Sequence, residues 1–446
     1  MSPTIILKSA IVIAPFTLLL GRAAQAFGLY MFMLVIPFLL IGVRRTNNIL
    51  HFSRIGWALV GLYTVFPIFD ALALIRGFEP TAEAWSGAHG WSFLLRSQYS
   101  SSVGIISLLI ALTPYISRPM SPKIAGFKAD EWVRLWMIGA VAANVVLLCV
   151  VIAQFGTGWN MSKAAAYRPD RLMASGFYRA AGACDHPIPF AGSILAQFGI
   201  YLHLATSKWA APRWQKMACI WIAVASLICI VLSGSRFALI VVVFAMLLIV
   251  ARLAKNTWQR LVAVSALGLC GAVVVKVTGM WERFAELSFG SLDGLLGGRS
   301  KLWQANWDLW QQSPTFGHGG AWLTNQIRKE WYEGLGMPEF NGSYNSHNLF
   351  LEILTSAGLV GLVMSLVMGY IFWRSWRRLY QTVHAPWARA VMLGLVLNFF
   401  HGLTQTAYFD SPVTMMLVYP FLLMFWADQL RESKNSYNDP VVKMRQ

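Results

Sequence analysis

The chain has 446 residues, of which 57% are hydrophobic and only 12% charged, and its mean hydropathy is +0.54. This composition excludes a soluble globular domain and belongs to a polytopic membrane protein. The formal charge of +17 suggests a nucleic-acid partner until its position along the chain is considered.

Apolar windows long enough to cross a ~30 Å hydrocarbon layer as helix recur from end to end, with basic clusters between them. Twelve are expected, at about 4–21, 26–43, 55–75, 99–117, 135–154, 187–206, 217–233, 237–252, 261–278, 347–373, 390–408 and 412–428. The start, with Lys8, an apolar run and AAQA ending at Ala26, also resembles a cleavable signal peptide. Arg22 beside that site, and immediate continuation into a second span, favour an uncleaved first helix.

Twelve spans with a cytoplasmic N-terminus put both termini in the cytoplasm. The cytoplasmic segments then hold 22 basic and 5 acidic residues, and the rest of the chain 14 of each. The whole excess is positive-inside bias, so no charge is left over to argue for nucleic acid. Four of the five cysteines (Cys149, Cys219, Cys229 and Cys270) fall within or at the ends of spans. Cys184 alone sits in an external loop, so no disulfide framework follows. No zinc-type Cys/His cluster, nucleotide-binding loop or internal repeat is visible, and no metal or other cofactor is expected.

The architecture expected is all-α, a single integral-membrane domain over 1–446 with two long external loops. The first loop, about 155–186, carries Lys163, Arg168, Arg171 and Arg179 against Asp170 and Asp185, a basic excess on the side where the positive-inside rule disfavours it. His186, next to Pro187, ends this loop as a cavity-lining candidate; a turn or capping role suits it equally. The second loop, about 279–346, contains GGRSKLWQANWDLWQQSPTFGHGG. There Ser300 is a plausible N-cap, and Trp303, Trp307 and Trp310 recur at helical spacing. That stripe suits an interfacial helix anchored at headgroup level or a lid over a cavity. Pro314, Gly317, Gly319 and Gly320 then turn the chain.

Three positions stand out chemically. The stretch GSYNSHNLFLEILTSAGLVGL from Gly342 to Leu362 places His347 and Asn348 at the external N-terminus of the tenth span. A helix N-terminus attracts anions and favours a neutral imidazole, as a general base requires. Against this stands a plain capping role for Asn345, Ser346 or Asn348, with His347 an interfacial polar residue. The short turn SGSRF puts Arg236 at the external start of the eighth span, and Arg299 follows Gly297 and Gly298. Arginine presents a fork of donors suited to phosphate, although a lone interfacial arginine commonly just snorkels. Glu352 lies five residues after His347, roughly 140° round the helix, and is a poor direct partner for it. A carboxyl in a membrane helix is nonetheless a functional candidate.

The pattern of SGSR at a short turn, GGR and tryptophans before SPTFGHGG, and then SHNLFLEILTSAGLVGL resembles the O-antigen ligase and polymerase superfamily of bacterial envelope glycosyltransferases. DHPIPFAGSILA after the first external loop has the same look. The resemblance runs from about Gly176 to Gly361, and its most specific part is the His347-Asn348 run ending in Gly358 and Gly361. It implies a GT-C-like inner-membrane enzyme that uses neither metal nor nucleotide sugar. Such an enzyme moves a glycan from undecaprenyl pyrophosphate, on the periplasmic side, to lipid A-core. It makes His347 the base and Arg236 and Arg299 the pyrophosphate ligands, with Asn348, Glu352 and His186 as further substrate-binding candidates. The loop arginines Arg168, Arg171 and Arg179 suit a phosphorylated acceptor core. A polymerase joining repeat units on the same carrier remains open. So does a transporter or flippase, against which stand the missing two-fold repeat and the two long loops.

Overall fold

A computed structural model describes residues 8–9, 11–13, 15, 49–76, 129–159, 172–173, 175–182, 184, 186–209, 211–279, 299–319, 321–337, 346–382 and 385–404. These residues are helical apart from turns and one isolated antiparallel bridge between Leu172 and Tyr178. The helices, in chain order, are α1 Ile49–Ile75, α2 Ala129–Thr157, α3 Pro187–Thr206, α4 Arg213–Leu232 and α5 Arg236–Leu253. They continue as α6 Thr257–Val277, α7 Arg299–Gln312, α8 Ala321–Gly334, α9 Leu349–Leu379 and α10 Ala385–Gly402.

Five of them are long and apolar enough to cross a membrane: Val133–Thr157 within α2, then α3, α4, α5 and α9. Eight of the twelve expected spans coincide with described helices, and that at 187–206 agrees with α3 at both ends. The spans expected at 26–43, 99–117 and 412–428, and most of 4–21, lie outside the described residues. In the second loop, α7 begins at Arg299, two residues earlier than a cap at Ser300 allows. An additional helix, α8, follows the Pro-Gly turn; its amphipathic sequence carries no span-length apolar signal.

α3 is the centre of the bundle and is buried along most of its length. Its small residues permit close helix contact: a Cβ on Gly199 would stand 3.0 Å from the Gly394 Cα of α10, and one on Gly394 would stand 2.8 Å from the Ala196 carbonyl. Such small-residue seams replace the hydrophobic effect as the driving force for packing between apolar spans. Polar side chains add register. Gln197 Nε2 donates to Asn144 Oδ1 and to Ser226 Oγ, both at 2.8 Å, tying α3 to α2 and α4. Asn398 Nδ2 donates to the Gly192 carbonyl at 3.2 Å, tying α10 to α3. α9 lies along α1, where Phe69 packs on Ala357. The outward faces of α5 and α6 carry Val243, Phe244, Leu261 and Leu269, as expected of surfaces solvated by lipid.

Candidate active site

The α4–α5 connection is three residues long. Ser233 closes α4, Gly234 takes the left-handed conformation at φ 64°, and Ser235 precedes α5 with extended backbone. Ser233 Oγ donates to the Ile230 carbonyl at 2.6 Å and accepts from the Ser235 amide at 3.3 Å. This turn forces Arg236 onto the first position of α5, half-buried. Arg179 backs the turn: its Nε donates to the Ser233 carbonyl at 3.1 Å, while the Ala180 amide pairs with the Leu232 carbonyl at 2.9 Å. A Cβ on Gly234 would stand 3.1 Å from Arg179 Nε, so the Arg179 side chain packs closely on a left-handed position that favours glycine. Arg179 thus joins the wall that carries Arg236.

Arg299 is the first residue of α7 and is half-buried. Burial, and then the charge of Arg236, hold its guanidinium below the ordinary arginine pKa; at this intrinsic basicity it remains charged. Two cations remote in sequence are therefore electrostatic neighbours, and Arg299 acts electrostatically on His401 as well. Neither α5 nor α7 has an acidic residue in its first turn. A cation at a helix N-terminus opposes the macrodipole, typically by ~0.3–1 kcal/mol. The two placements make this corner strongly electropositive and suited to a polyanion.

α9 starts at the same corner. Asn348 is its N-cap: Oδ1 accepts from the amides of Phe350 and Leu351 at 2.9 and 3.1 Å, and Nδ2 donates to the Leu403 carbonyl just past α10 at 3.0 Å. Capping is therefore the work of Asn348, and His347 is left in front of the helix. His347 has φ 52°, the one positive φ of a non-glycine among the described residues. A left-handed histidine is uncommon, and strain of this kind clusters at functional sites. The α9 start leans on the α10 end, where a Cβ on Gly402 would meet Leu349 at 3.7 Å. His401 in turn faces Phe237, with ring centroids 6.4 Å apart, directly after Arg236. Arg179, Arg236, Arg299, His347, Asn348 and His401 thus occupy one end of the bundle. His401 is fully buried, and neither ring nitrogen has a hydrogen-bond partner among the described residues.

Glu352 and His186 have local employment. Glu352 is 4% exposed and forms an ion pair at 3.0 Å with Arg328 of α8, itself 0% exposed. Its other oxygen accepts from the Ser346 amide at 2.9 Å and Oγ at 3.1 Å. Arg328 also donates to Asn306 Oδ1 at 2.7 Å and to Thr355 Oγ1 at 2.5 Å, joining α7, α8 and α9. His186 is exposed and caps α3, accepting from the Ile188 amide at 3.3 Å with Pro187 in the first position. Arg168 and Arg171 lie outside the described residues.

Arg328 was not singled out in the sequence. The signal was Glu352 itself: a carboxylate in an apolar run needs a buried counter-ion, and the basic residues of the second loop were the available donors. Trp303, Trp307 and Trp310 flank the buried face of α7, which is made by Leu302, Ala305, Asn306 and Leu309. Trp307 is the exposed one of the three and lies 4.6 Å from Trp310, centroid to centroid.

Residues 221–366 match the O-antigen ligase family. The match supports assigning the chain to that family, whose members are glycosyltransferase-like enzymes, and to the broader ligase and polymerase superfamily. Within the matched region fall Arg236, Arg299, Arg328, His347, Asn348 and Glu352. Arg179 and His186 fall outside it, so the O-antigen ligase match starts later in the chain than the resemblance noted from Gly176. No curated protein matches the chain significantly.

Proposed function

We propose that the protein transfers O-antigen polysaccharide from undecaprenyl pyrophosphate to lipid A-core, at the periplasmic end of a twelve-span inner-membrane bundle with both termini cytoplasmic. The observation that carries this reading is the placement of Arg236 and Arg299 on the first positions of α5 and α7 at the corner where His347 takes a left-handed backbone before α9. The acceptor hydroxyl attacks the anomeric carbon of the donor sugar. As the new glycosidic bond forms, the bond from that carbon to the pyrophosphate oxygen breaks, and undecaprenyl pyrophosphate leaves with the electron pair. His347 takes the hydroxyl proton as general base. Arg236 and Arg299, with the amides at the starts of α5 and α7, hold the charge that develops on the leaving pyrophosphate. The Trp303, Trp307 and Trp310 helix lies over the donor at headgroup level, within the loop assigned to 279–346; the loop at 155–186 faces the acceptor.

Deletion of the gene tests this. Full-length polymer retained on the lipid carrier, with unglycosylated lipid A-core, supports the ligase; cores bearing a single repeat unit instead identify a polymerase on the same carrier. The polymerase is the second reading because Arg179, one of the cations assigned to a phosphorylated acceptor, engages the Ser233 carbonyl beside Arg236. Orientation is tested separately. A membrane-impermeant thiol reagent applied from the periplasm labels Cys184 and spares Cys219 and Cys229, both buried. Labelling only after the inner membrane is opened would reverse the topology.

A further inference from the structure

A histidine with left-handed backbone holds that conformation only if its neighbours over-determine it, because the conformation costs ~1–3 kcal/mol. On the C-terminal side of His347, Asn348 is fixed by its cap and by Leu403. On the N-terminal side stands Ser346, fully buried, whose amide and hydroxyl both donate to Glu352 Oε2. The Ser346 hydroxyl also lies 2.8 Å from the Asn348 carbonyl and 3.3 Å from its amide, closing the turn around His347. Glu352 swings no further because Arg328 holds its other oxygen, and Arg328 is anchored by Asn306 and Thr355. The chain of contacts therefore runs from the loop helices α7 and α8 to the residue immediately before His347.

We infer that Arg328 and Glu352 are positioning residues, a buried latch that acts through Ser346 to hold the His347 imidazole in place for proton abstraction. This rests on the proposed role of His347 as base. A buried ion pair adds little net stability over an apolar pair of similar volume, since desolvation offsets the attraction. Stability alone therefore gives weak reason to have one here. Its geometric product is the placement of Ser346, and Glu352 can serve the base without touching it although it lies on another face of the helix.

The test uses purified full-length enzyme, a lipid-pyrophosphate-linked glycan donor and two variants. Ser346→Ala removes the hydroxyl and leaves the ion pair intact. Arg328→Met combined with Glu352→Gln removes both charges together, avoiding the unpaired buried charge that would prevent folding of either single variant. For each, kcat, KM for the donor, the pH profile of kcat and the thermal midpoint are measured. A latch predicts a loss of about 10- to 100-fold in kcat, the scale of a mispositioned reactive group. Donor KM stays close to wild type because Arg236 and Arg299 are untouched, and the protein is folded. Wild-type kcat in both folded variants overturns the latch, as does a loss explained entirely by the amount of folded protein. If His347→Asn enzyme is fully active while the latch variants are slow, the base assignment has failed, and the latch as a device for that base fails with it. Full activity of the latch variants beside an inactive His347→Asn enzyme removes the latch alone.

Discussion

His318 and Thr355 are joined backbone to backbone, amide to carbonyl at 2.9 Å, at the point where α9 is broken. An unbroken helix pairs the Thr355 carbonyl with the Leu359 amide and the Ser356 carbonyl with the Val360 amide. Instead, those carbonyls accept from His318 and Gly319, and those amides donate to the carbonyls of Pro314 and Thr315. Two helical bonds are replaced by four bonds to the Pro-Gly loop, so each of the four main-chain groups freed by the interruption finds a partner within the apolar bundle. Arg76, directly after α1, holds the loop, donating to the Gly317 carbonyl at 3.3 Å and to Ser313 Oγ at 3.0 Å.

The break requires Gly358, whose φ is 65° and where a Cβ would stand 2.3 Å from the Thr315 carbonyl oxygen. Gly358→Ala therefore meets both backbone strain and a clash with main chain that has no room to yield. Destabilisation of about 3 kcal/mol or more is expected, measured as a lower thermal midpoint in detergent. Gly176→Ala is the control. It has φ 82° with open space around the added carbon, so only the backbone cost of ~1–2 kcal/mol applies. Equal losses in the two variants would remove the loop contact as the cause.

His347→Asn is the informative change at the base, because asparagine tolerates the left-handed backbone that alanine does not. The variant inserts and folds as the parent does, and turnover falls by the ~10² to 10⁴ typical of losing a general base. Near-native transfer in purified His347→Asn enzyme would return this position to a structural role.

Arg236→Lys and Arg299→Lys keep the charge but lose the planar fork. Each is expected to weaken use of the pyrophosphate donor, with only partial recovery relative to the alanine variants. Because both guanidiniums are assigned to one pyrophosphate, their effects are expected to be non-additive in a double-mutant cycle. Additive effects would place them on separate ligands. Transfer is expected to survive EDTA, and an absolute requirement for a divalent cation would sink this scheme.

His318 ties stability to pH. Its Nε2 lies 2.8 Å from the Leu309 carbonyl, and burial holds the imidazole below the ordinary histidine pKa. The unfolded chain therefore binds a proton before the folded one does. Its contribution is complete above about pH 6.5 and is lost as pH falls through the lower folded-state value. Hydrogen exchange at 313–319 and 355–360 is expected to accelerate in that acid window. His318→Phe should abolish the pH dependence; its persistence in that variant would place the titrating group elsewhere.

The all-helical class, the positions of the described spans and the candidates Arg236, Arg299 and His347 were all legible in the chain. Hydrocarbon thickness dictates segment length, and a short turn or a span boundary locates its own residues. These are local constraints, and local constraints are written in order along a sequence. The tertiary structure decided what depends on partners far along the chain. It paired Glu352 with Arg328, set Arg179 against the Ser233 carbonyl, and turned His186 into a cap. It also set the buried His401 beside Phe237 and let the Pro314–Gly319 loop complete the broken hydrogen bonds of α9. A charge or a main-chain carbonyl in an apolar bundle must be satisfied by some group, and which group arrives is determined only when the helices pack.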